Sequence, residues 1–572
     1  MIPPLHQDIS SHGYDRSPRG RYINLLALGS LLLFVTTTFL FCFDQDGFQC
    51  FCSPFSSDQP PANPPPPNKD IDMPNNCPNN FADYAETFHD PGSGGPLNLP
   101  FQRPVEACRR FTSSVVNTAV ESLASKIADL DLARLFTNTY PNTLDTTIES
   151  TQCINTTDCN PLSFVITGDI HAMWLRDSAN QLLPYLDYVN KDLSLKRLFL
   201  GLIHMQASLI KVDPYANAFN APKSMATTGT EYGHVDRAFS NEAVFERKWE
   251  VDSLASFLGF SYQYWNVTGD SSFVQTTDWM DAVETIIKTI HEQQEPTFNE
   301  ETGYPMDSYY KFKQNTERPT ETQFLSGIGQ PVKRTGLVKS LFRPSDDATV
   351  YPFFIPGNAM ISVELAHVAQ LVQQNNAANN DRLAQMATEM TRLSKEIRDA
   401  IYTYAVTDIP GYDKVFAYEV DGYGSKLIMD DANVPSLLSL SMLGFVSADD
   451  PVYQSTRKLV LSRDNPYYFS GPRAGGLSGI GGPHVGLNYA WPMSQIVRIL
   501  TSTNDTEIVE ALGIILRSTD GTGLIHESVN VHDDGKNKYT RPWFAWVNGL
   551  FGQAILKLAK ERPHLLFDRR YN

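Results

Sequence analysis

The chain has 572 residues, of which 46 are Lys or Arg and 64 are Asp or Glu, for a formal net charge of −18. That balance excludes a nucleic-acid binder, which needs a basic face. A hydrophobic share of 42% with 19% charged residues, against roughly 25% charged in ordinary domains, excludes a disordered acidic chain and describes a globular protein with a large interior.

Residues 1–22 read as a short tail carrying Arg16, Arg19 and Arg21. From Ile23 to Phe43 the chain runs without a charge, long enough at about 1.5 Å per residue to cross the ~30 Å hydrocarbon layer. Arginines before the stretch, and Asp44 and Asp46 after it, predict a single transmembrane signal-anchor helix with a cytoplasmic N-terminus. A cleaved signal peptide has a shorter apolar region followed by a small-residue site. Residues 44–75 form a stalk, because Pro54 to Asp70 is too rich in proline for helix or central strand. A semi-rigid polyproline rod and a disordered linker have the same consequence there, and residues 76–572 form one globular domain facing the lumen or the outside.

Of the seven cysteines, Cys42, Cys50 and Cys52 lie in or near the span, and Cys77, Cys108, Cys153 and Cys159 lie early in the globular part. They lack zinc spacing, and an oxidising compartment favours disulfides, expected as Cys153–Cys159 and Cys77–Cys108. Sequons at Asn155, Asn266 and Asn504 agree with lumenal exposure.

Helical periodicity dominates the globular part. Leu383, Met386, Met390, Leu393, Ile397 and Ile401 step by three or four, as do Trp279, Val283, Ile286 and Ile290. Helices are predicted over 104–131, 177–191, 193–212, 250–267, 271–292, 357–374, 378–404, 433–444, 449–461, 485–502, 504–517 and 542–562. Six hairpins of this kind, with long irregular stretches at Asp213–Arg247 and Phe298–Pro356, suggest an all-α (α/α)6 toroid whose loops build a site at one end.

Five segments crowd aromatic, charged and amide residues outside that periodicity: Gly168–Gln181, Phe245–Ala255, Phe342–Asn358, Gly481–Ser494 and Gly523–Asn548. They read as walls of one polar, aromatic-lined pocket suited to sugars, since carboxylates, Arg and Asn chelate hydroxyls while Trp and Tyr cover the C–H faces of the ring. Other chemistries fit less well. RAGGLSGIGGPH lacks the G-K-[ST] ending of a phosphate loop and reads as a flexible pocket wall. The histidines stand at no metal-ligand spacing, and no G-x-S-x-G elbow occurs. Asp129-Leu130-Asp131 resembles a glycosyltransferase acid pair but falls in a helical stripe, and reads as a solvated helix face.

Those segments, with GDIHAMWLRDS, RPSDDA, GGPHVG, YAWPMS, HES and WFAWVN in order, strongly resemble glycoside hydrolase family 125, the exo-α-1,6-mannosidases, and especially its membrane-anchored fungal members. The resemblance covers Asn80 to Leu565. It implies an (α/α)6 catalytic domain that hydrolyses terminal α-1,6-linked mannose with inversion, without a cofactor or required metal. By motif, Asp252 in KWEVDSLA is the implied general acid and Glu527 in GLIHES the general base. Inversion requires such a pair, one carboxyl to protonate the leaving oxygen and one to activate water. Asp252 sits at a helix start, where the dipole favours its anion, so burial beside Trp249 or a neighbouring carboxylate must raise its pKa. From spacing alone Asp252 is an ordinary N-terminal helix acid and Glu527 a loop acid. Trp174, Arg176 and Asp177, then Asp346, Asp347, His484, Trp491, His526 and Trp546, are the implied mannose-binding residues. WLRD also fits a structural Arg–Asp pair, and of Trp543 and Trp546 one is expected in the core.

The implied protein is a monomer acting on α-mannoside glycans, N-glycan or mannoprotein termini, from a Golgi or other secretory-pathway membrane. The alternatives are a mannose-binding lectin that has lost turnover, a hydrolase of another α-mannoside linkage, and a glycosyltransferase, which nucleotide-sugar and Mn2+ dependence would separate. Loops 213–247 and 314–336 depart from shorter soluble members and are expected to cap the pocket and alter the accepted aglycone.

Overall fold

Among the residues described by the computed structural model (77–78, 80–225, 241–375, 380–533, 535 and 538–571), twelve α-helices have eight residues or more. They are α1 Ser114–Ala124, α2 Leu130–Thr139, α3 Leu175–Leu182, α4 Leu193–Val212, α5 Val251–Thr268, α6 Thr277–Gln294, α7 Ile355–Gln374, α8 Asp381–Tyr404, α9 Pro451–Val460, α10 Pro492–Thr501, α11 Asp505–Arg517 and α12 Ala545–Glu561. All described residues belong to the unit Pro64–Asn572. The expected span 23–43, the stalk 44–75 and Cys42, Cys50 and Cys52 lie outside the described residues, as does 226–240 of loop 213–247. Among the described residues no helix is long and apolar enough to cross a membrane.

Helix contacts trace two rings. The inner one runs α3 to α5 to α7, and closes from α10 through α12 back to α3. The outer one contains α2, α4, α6, α8, α9 and α11, with α7–α8 and α10–α11 as hairpins. The two kinds of helix differ in composition as their positions require. On α8 only the stripe Leu383, Met386, Met390, Leu393, Ile397 and Ile401, with Ala387 and Ala400 beside it, is buried, whereas α7 is buried on almost every side from Ile355 to Val372.

Capping differs in the same way. Ser113, Asp129, Asp192, Thr276, Asn380, Asp450 and Asn504 each accept a backbone N–H at the start of α1, α2, α4, α6, α8, α9 and α11. Each such cap stabilises by about 1 kcal/mol. The inner helices α3, α5, α7, α10 and α12 begin instead on Trp174, Glu250, Phe354, Trp491 and Phe544, none of which caps through its side chain. Their first amides are taken by neighbouring loops: Leu175 N–H donates to Asn217 O, Val251 N–H to Ser340 Oγ, Ile355 N–H to Tyr418 O and Ala545 N–H to Thr167 O. The inner-ring N-termini therefore anchor the long loops.

Short antiparallel strands, absent from the all-α expectation, lead into these termini. Met173–Trp174 pairs with Ala218–Phe219, which pairs with Val244–Glu246 ahead of α5. Tyr489–Ala490 pairs with Ser528–Asn530, which pairs with Tyr539–Thr540 ahead of α12.

Five local expectations are corrected. The segment 104–131 is a 3-10 turn and α1, with α2 beginning at Leu130, and 177–191 passes from α3 into a 3-10 helix. Residues 433–444 are turns rather than a helix: the Val434–Pro435 peptide is cis, and Asp430 accepts from Leu437 N–H and Leu438 N–H. The apolar density of this segment reflects burial of Leu437, Leu438 and Leu440, not helical period. Asp129 and Asp131 are buried; Asp129 caps α2, and Asp131 accepts from Leu97 N–H and Ser93 Oγ. RAGGLSGIGGPH does reach the pocket wall, through His484, but its middle is built in, since Leu477–Ile480 pairs with Tyr468–Gly471 and a Cβ on Gly481 would lie 2.2 Å from Tyr489 O.

Both expected disulfides form, Cys77–Cys108 and Cys153–Cys159. The first closes 31 residues of chain. Replacing both Cys77 and Cys108 by serine is expected to lower stability by about 3–4 kcal/mol, from loop-closure entropy, in urea unfolding of the oxidised protein. Of the sequon asparagines, Asn155, Asn266 and Asn504 are all exposed, and Asn504 Oδ1 caps α11.

Candidate active site

Where the loops meet the inner-ring N-termini they enclose a pocket lined by Thr167, Ile170, Trp174, Arg176, Asp177, Pro344, Ser345, Asp346, Asn433, His484, Trp491, Glu527, Arg541, Phe544 and Trp546. Eight of the eleven residues singled out in the sequence are brought together here: Trp174, Arg176, Asp177, Asp346, His484, Trp491, Glu527 and Trp546. All lining residues except Ile170, Asp346, His484 and Arg541 are buried. A wider groove between α6 and α8, lined by Glu284, His291, Arg382 and Glu389, lies apart from these motifs.

Arg176, in the first turn of α3, organises one wall. Its Nη1 donates to Glu250 Oε2 at 2.6 Å and Asp252 Oδ2 at 3.0 Å, its Nη2 lies 3.2 Å from Asp177 Oδ2, and its guanidinium lies over the Trp546 ring. WLRD thus satisfies both readings at once, an ion pair that is also a pocket wall. Trp543 packs in the core and precedes α12, while Trp546 lies within it.

Asp252 does not line the pocket. It is 0% exposed, sealed beside Arg176 in the first turn of α5, and its Oδ1 takes no hydrogen bond. Burial raises its pKa, as the sequence required, with Arg176 opposing. Desolvation alone does not make a proton donor, because a group with no access to the pocket cannot reach a leaving oxygen.

A carboxylate that does reach the pocket, beside Asp177 and Glu527, is Asp346. The turn Arg343–Asp347 closes with Asp346 N–H donating to Arg343 O and Arg343 N–H to Asp347 O. Asp346 sits at φ 67°, a left-handed conformation that costs an aspartate energy and holds its side chain at the pocket. The turn is pinned from behind by Arg343, whose Nε donates to Glu419 at 2.6 Å, while Glu419 accepts from Val350 N–H and Tyr351 N–H. Burial raises the Asp346 pKa, but Lys248, Arg176, a hydrogen bond with Glu250 and His484 outweigh it and hold it low.

Glu527, in the same lining, precedes the strand Ser528–Asn530. Its Oε2 accepts from Thr540 Oγ1 at 2.8 Å, and its Oε1 lies 3.7 Å from Arg541. Arg541, at φ 53°, also donates to Asp169 and lies over the Phe544 ring. The residue stands directly before Pro542, where no sequence rule predicts a left-handed backbone, and it was missed. Asn433 was missed because the surrounding segment read as helix. Asn217 was missed because nothing in NAF marks it, yet its Nδ2 reaches Glu246, Glu250 and Asp346.

Asp347 and His526 lie outside the lining. Asp347 sits behind His484, 3.5 Å from Nδ1. Burial works against charge on His484, but the hydrogen bond and charge of Asp347, with Glu527 and Asp346, push its pKa up to about 9, so it is an imidazolium at neutral pH. His526 is the opposite case. Fully buried, stacked 3.7 Å from Tyr539 and within hydrogen-bond distance of Thr519 O and Arg541 O, it is lowered by burial to about 4 and is a neutral strut beneath Arg541 rather than a sugar ligand. Trp174 and Trp491 line the pocket, and their buried indole N–H groups have no hydrogen-bond partner. An incoming hydroxyl would satisfy them. Among the described residues no group of three or more His, Cys, Asp and Glu has the arrangement to hold a metal ion.

Comparison with known proteins agrees with this chemistry. The family model described as "Metal-independent alpha-mannosidase (GH125)" matches residues 129–556. The Meiotically up-regulated gene 157 protein of Schizosaccharomyces pombe is 49% identical over 495 residues, covering 86% of this chain and 94% of its own. A metal-independent alpha mannosidase of Streptococcus pneumoniae, solved as a non-productive complex with alpha-1,6-mannobiose, superposes with a TM-score of 0.70 at 34% identity, over 79% of this chain and all of its own.

Proposed function

The chain belongs to the metal-independent alpha-mannosidases of family GH125, and on that footing we propose that it is an inverting exo-α-1,6-mannosidase with Asp346 as general acid and Glu527 as general base. The observation that carries this reading is the meeting of these two carboxylates in one enclosed pocket walled by Trp174, Trp491 and Trp546. In the step itself the C1–O bond breaks and the leaving oxygen takes a proton from Asp346. A water oxygen bonds C1 from the opposite face, gives its proton to Glu527, and the sugar departs as the β anomer. The third lining carboxylate, Asp177, is committed to Arg176 and suits sugar hydroxyls better than proton transfer.

Exo action is supported by the largely buried lining of the pocket, which suits a chain end better than the middle of a glycan. Preference for the 1,6 linkage is supported by the mannobiose bound to the pneumococcal relative. We propose further that residues 23–43 anchor the enzyme as a type II protein in a Golgi or other secretory membrane, where it trims N-glycan or mannoprotein termini. The two disulfides and three exposed sequons suit an oxidising lumen.

The test uses the full-length protein in detergent. It is expected to release β-mannose first from α-1,6-mannobiose, followed by NMR. Asp346→Asn is expected to lose about 10²–10⁴-fold on mannobiose yet retain most activity on 2,4-dinitrophenyl α-mannoside, whose leaving group needs no protonation. Asp252→Asn behaving in this way instead would return the acid role to Asp252. A folded protein that binds mannose without turnover would be a lectin.

A further inference from the structure

Behind Asp346 lies a buried charge imbalance. Five carboxylates, Asp177, Glu246, Glu250, Asp252 and Asp346, surround two cations, Arg176 and Lys248, and all but Asp346 are buried. With every acid ionised, and with His484 and Arg541 counted from the pocket side where they act on Asp346 and Asp177, the cluster would still carry one negative charge in excess, and retaining a proton removes it. Glu250 is the acid placed to retain one. Its Oε2 accepts from Arg176 at 2.6 Å and from Ser253 Oγ at 3.2 Å. Its Oε1 and Asp346 Oδ1 converge on the same amide, Asn217 Nδ2, at 3.2 Å and 3.3 Å. That amide has two hydrogens and also donates to Glu246 Oε2 at 2.8 Å, so three carboxylates compete for two donors, and a proton between Glu250 and Asp346 relieves their repulsion.

We propose that Glu250 is the positioning residue that keeps the acid supplied, holding the proton that Asp346 delivers to the leaving oxygen. The inference rests on Asp346 being the acid. In each turnover the Glu250 proton passes to Asp346 along their hydrogen bond as Asp346 protonates the glycosidic oxygen, and Glu250 regains a proton from solvent. The proton that Glu527 took from the attacking water is released, so protons balance over the cycle.

The groups facing Glu250 all bear on its titration: Arg176 from α3, Asp252 and Ser253 from α5, Asn217 beside the strand Ala218–Phe219, Lys248 from the segment before α5, and Asp346 from the 343–347 turn. Burial drives Glu250 well above the ordinary glutamate range, Arg176 opposes, and the charges of Asp346 and Asp252 reinforce the rise. With glutamine at 250 the shared proton has only Asp346 to sit on. Lys248 and Arg176 then pull that carboxyl into its anionic form at lower pH.

Glu250→Gln is therefore expected to move the alkaline limb of kcat/KM on α-1,6-mannobiose down by about 1–3 pH units, with the rate recovered on acidification and little change on dinitrophenyl mannoside. A lowered rate at every pH, with the limb unmoved, would make Glu250 merely structural and overturn the proposal. An arm that does not depend on that variant folding is the infrared difference spectrum of wild type and Asp346→Asn at neutral pH, in which the carbonyl band of other buried acids such as Asp430 cancels. A shifted carbonyl stretch is expected, because the acid that hydrogen-bonds Asp346 then meets an amide, and no carbonyl change would also overturn the proposal. Failure of the underlying acid assignment looks different, because Asp346→Asn would then lose the two substrates equally or neither.

Discussion

Replacing Glu527 by glutamine is expected to lower kcat on α-1,6-mannobiose by about 10²–10⁴-fold, and by a similar factor on dinitrophenyl α-mannoside. The second substrate is the discriminating one. An activated leaving group removes the need for an acid, but water must still be deprotonated to attack C1, so a base variant fails on both substrates where an acid variant fails on one. Glutamine preserves the local geometry: its amide oxygen still accepts from Thr540 Oγ1, and the pocket keeps its shape. KM is expected to change little, since water activation contributes to the transition state rather than to binding. Steady-state kinetics at the pH optimum settle the matter, and retention of more than about a tenth of the wild-type rate would remove Glu527 from the base role.

Arg176→Met is the second large effect, and it falls on stability as well as activity. Arg176 is the cation shared by Glu250, Asp252 and Asp177, at 2.6, 3.0 and 3.2 Å. Methionine matches the stem of the side chain but leaves buried acids without their counter-charge, a defect worth about 3–5 kcal/mol. The loss has a predictable sign with pH. Acids stripped of a cation have raised folded-state pKa values, so the destabilisation is greatest near neutrality and shrinks as pH falls and they protonate. Urea titrations at two pH values check this. The double variant Arg176→Met, Asp252→Asn is expected to recover part of the loss, because it removes one of the acids left without its cation, and strict additivity would show that the two residues are energetically independent.

The rings were legible because burial writes periodicity into helices: the α8 stripe and α4, read as 193–212, are found as expected. Residues 433–444 misled because a fully buried turn is as rich in leucine as a helix, and the cis peptide before Pro435 leaves no apolar signature. The pocket was legible by segment and not by atom. All five motif segments contribute to it or to its support, yet Asp252 and Asp346 cannot be ranked from sequence. Which of them meets solvent depends on how the first turn of α5 faces Arg176 and on a left-handed aspartate, and both are tertiary facts. His526 was misassigned for a related reason, since a histidine beside a pocket glutamate reads as a ligand until its ring is found stacked on Tyr539.

The uneven distribution of N-caps has a consequence for how this scaffold changes over time. Stability increments that need only a serine, threonine, aspartate or asparagine sit at the starts of outer helices, away from the pocket. The inner starts instead carry Trp174, Glu250, Phe354, Trp491 and Phe544, and their leading amides hold loops in place. Mutations that rebuild the loops can therefore explore new aglycones without touching the caps that keep the barrel folded, and cap-improving mutations can accumulate without disturbing chemistry. The two halves of each hairpin can drift under separate selection, a division that makes one barrel a reusable starting point for recognising different glycans.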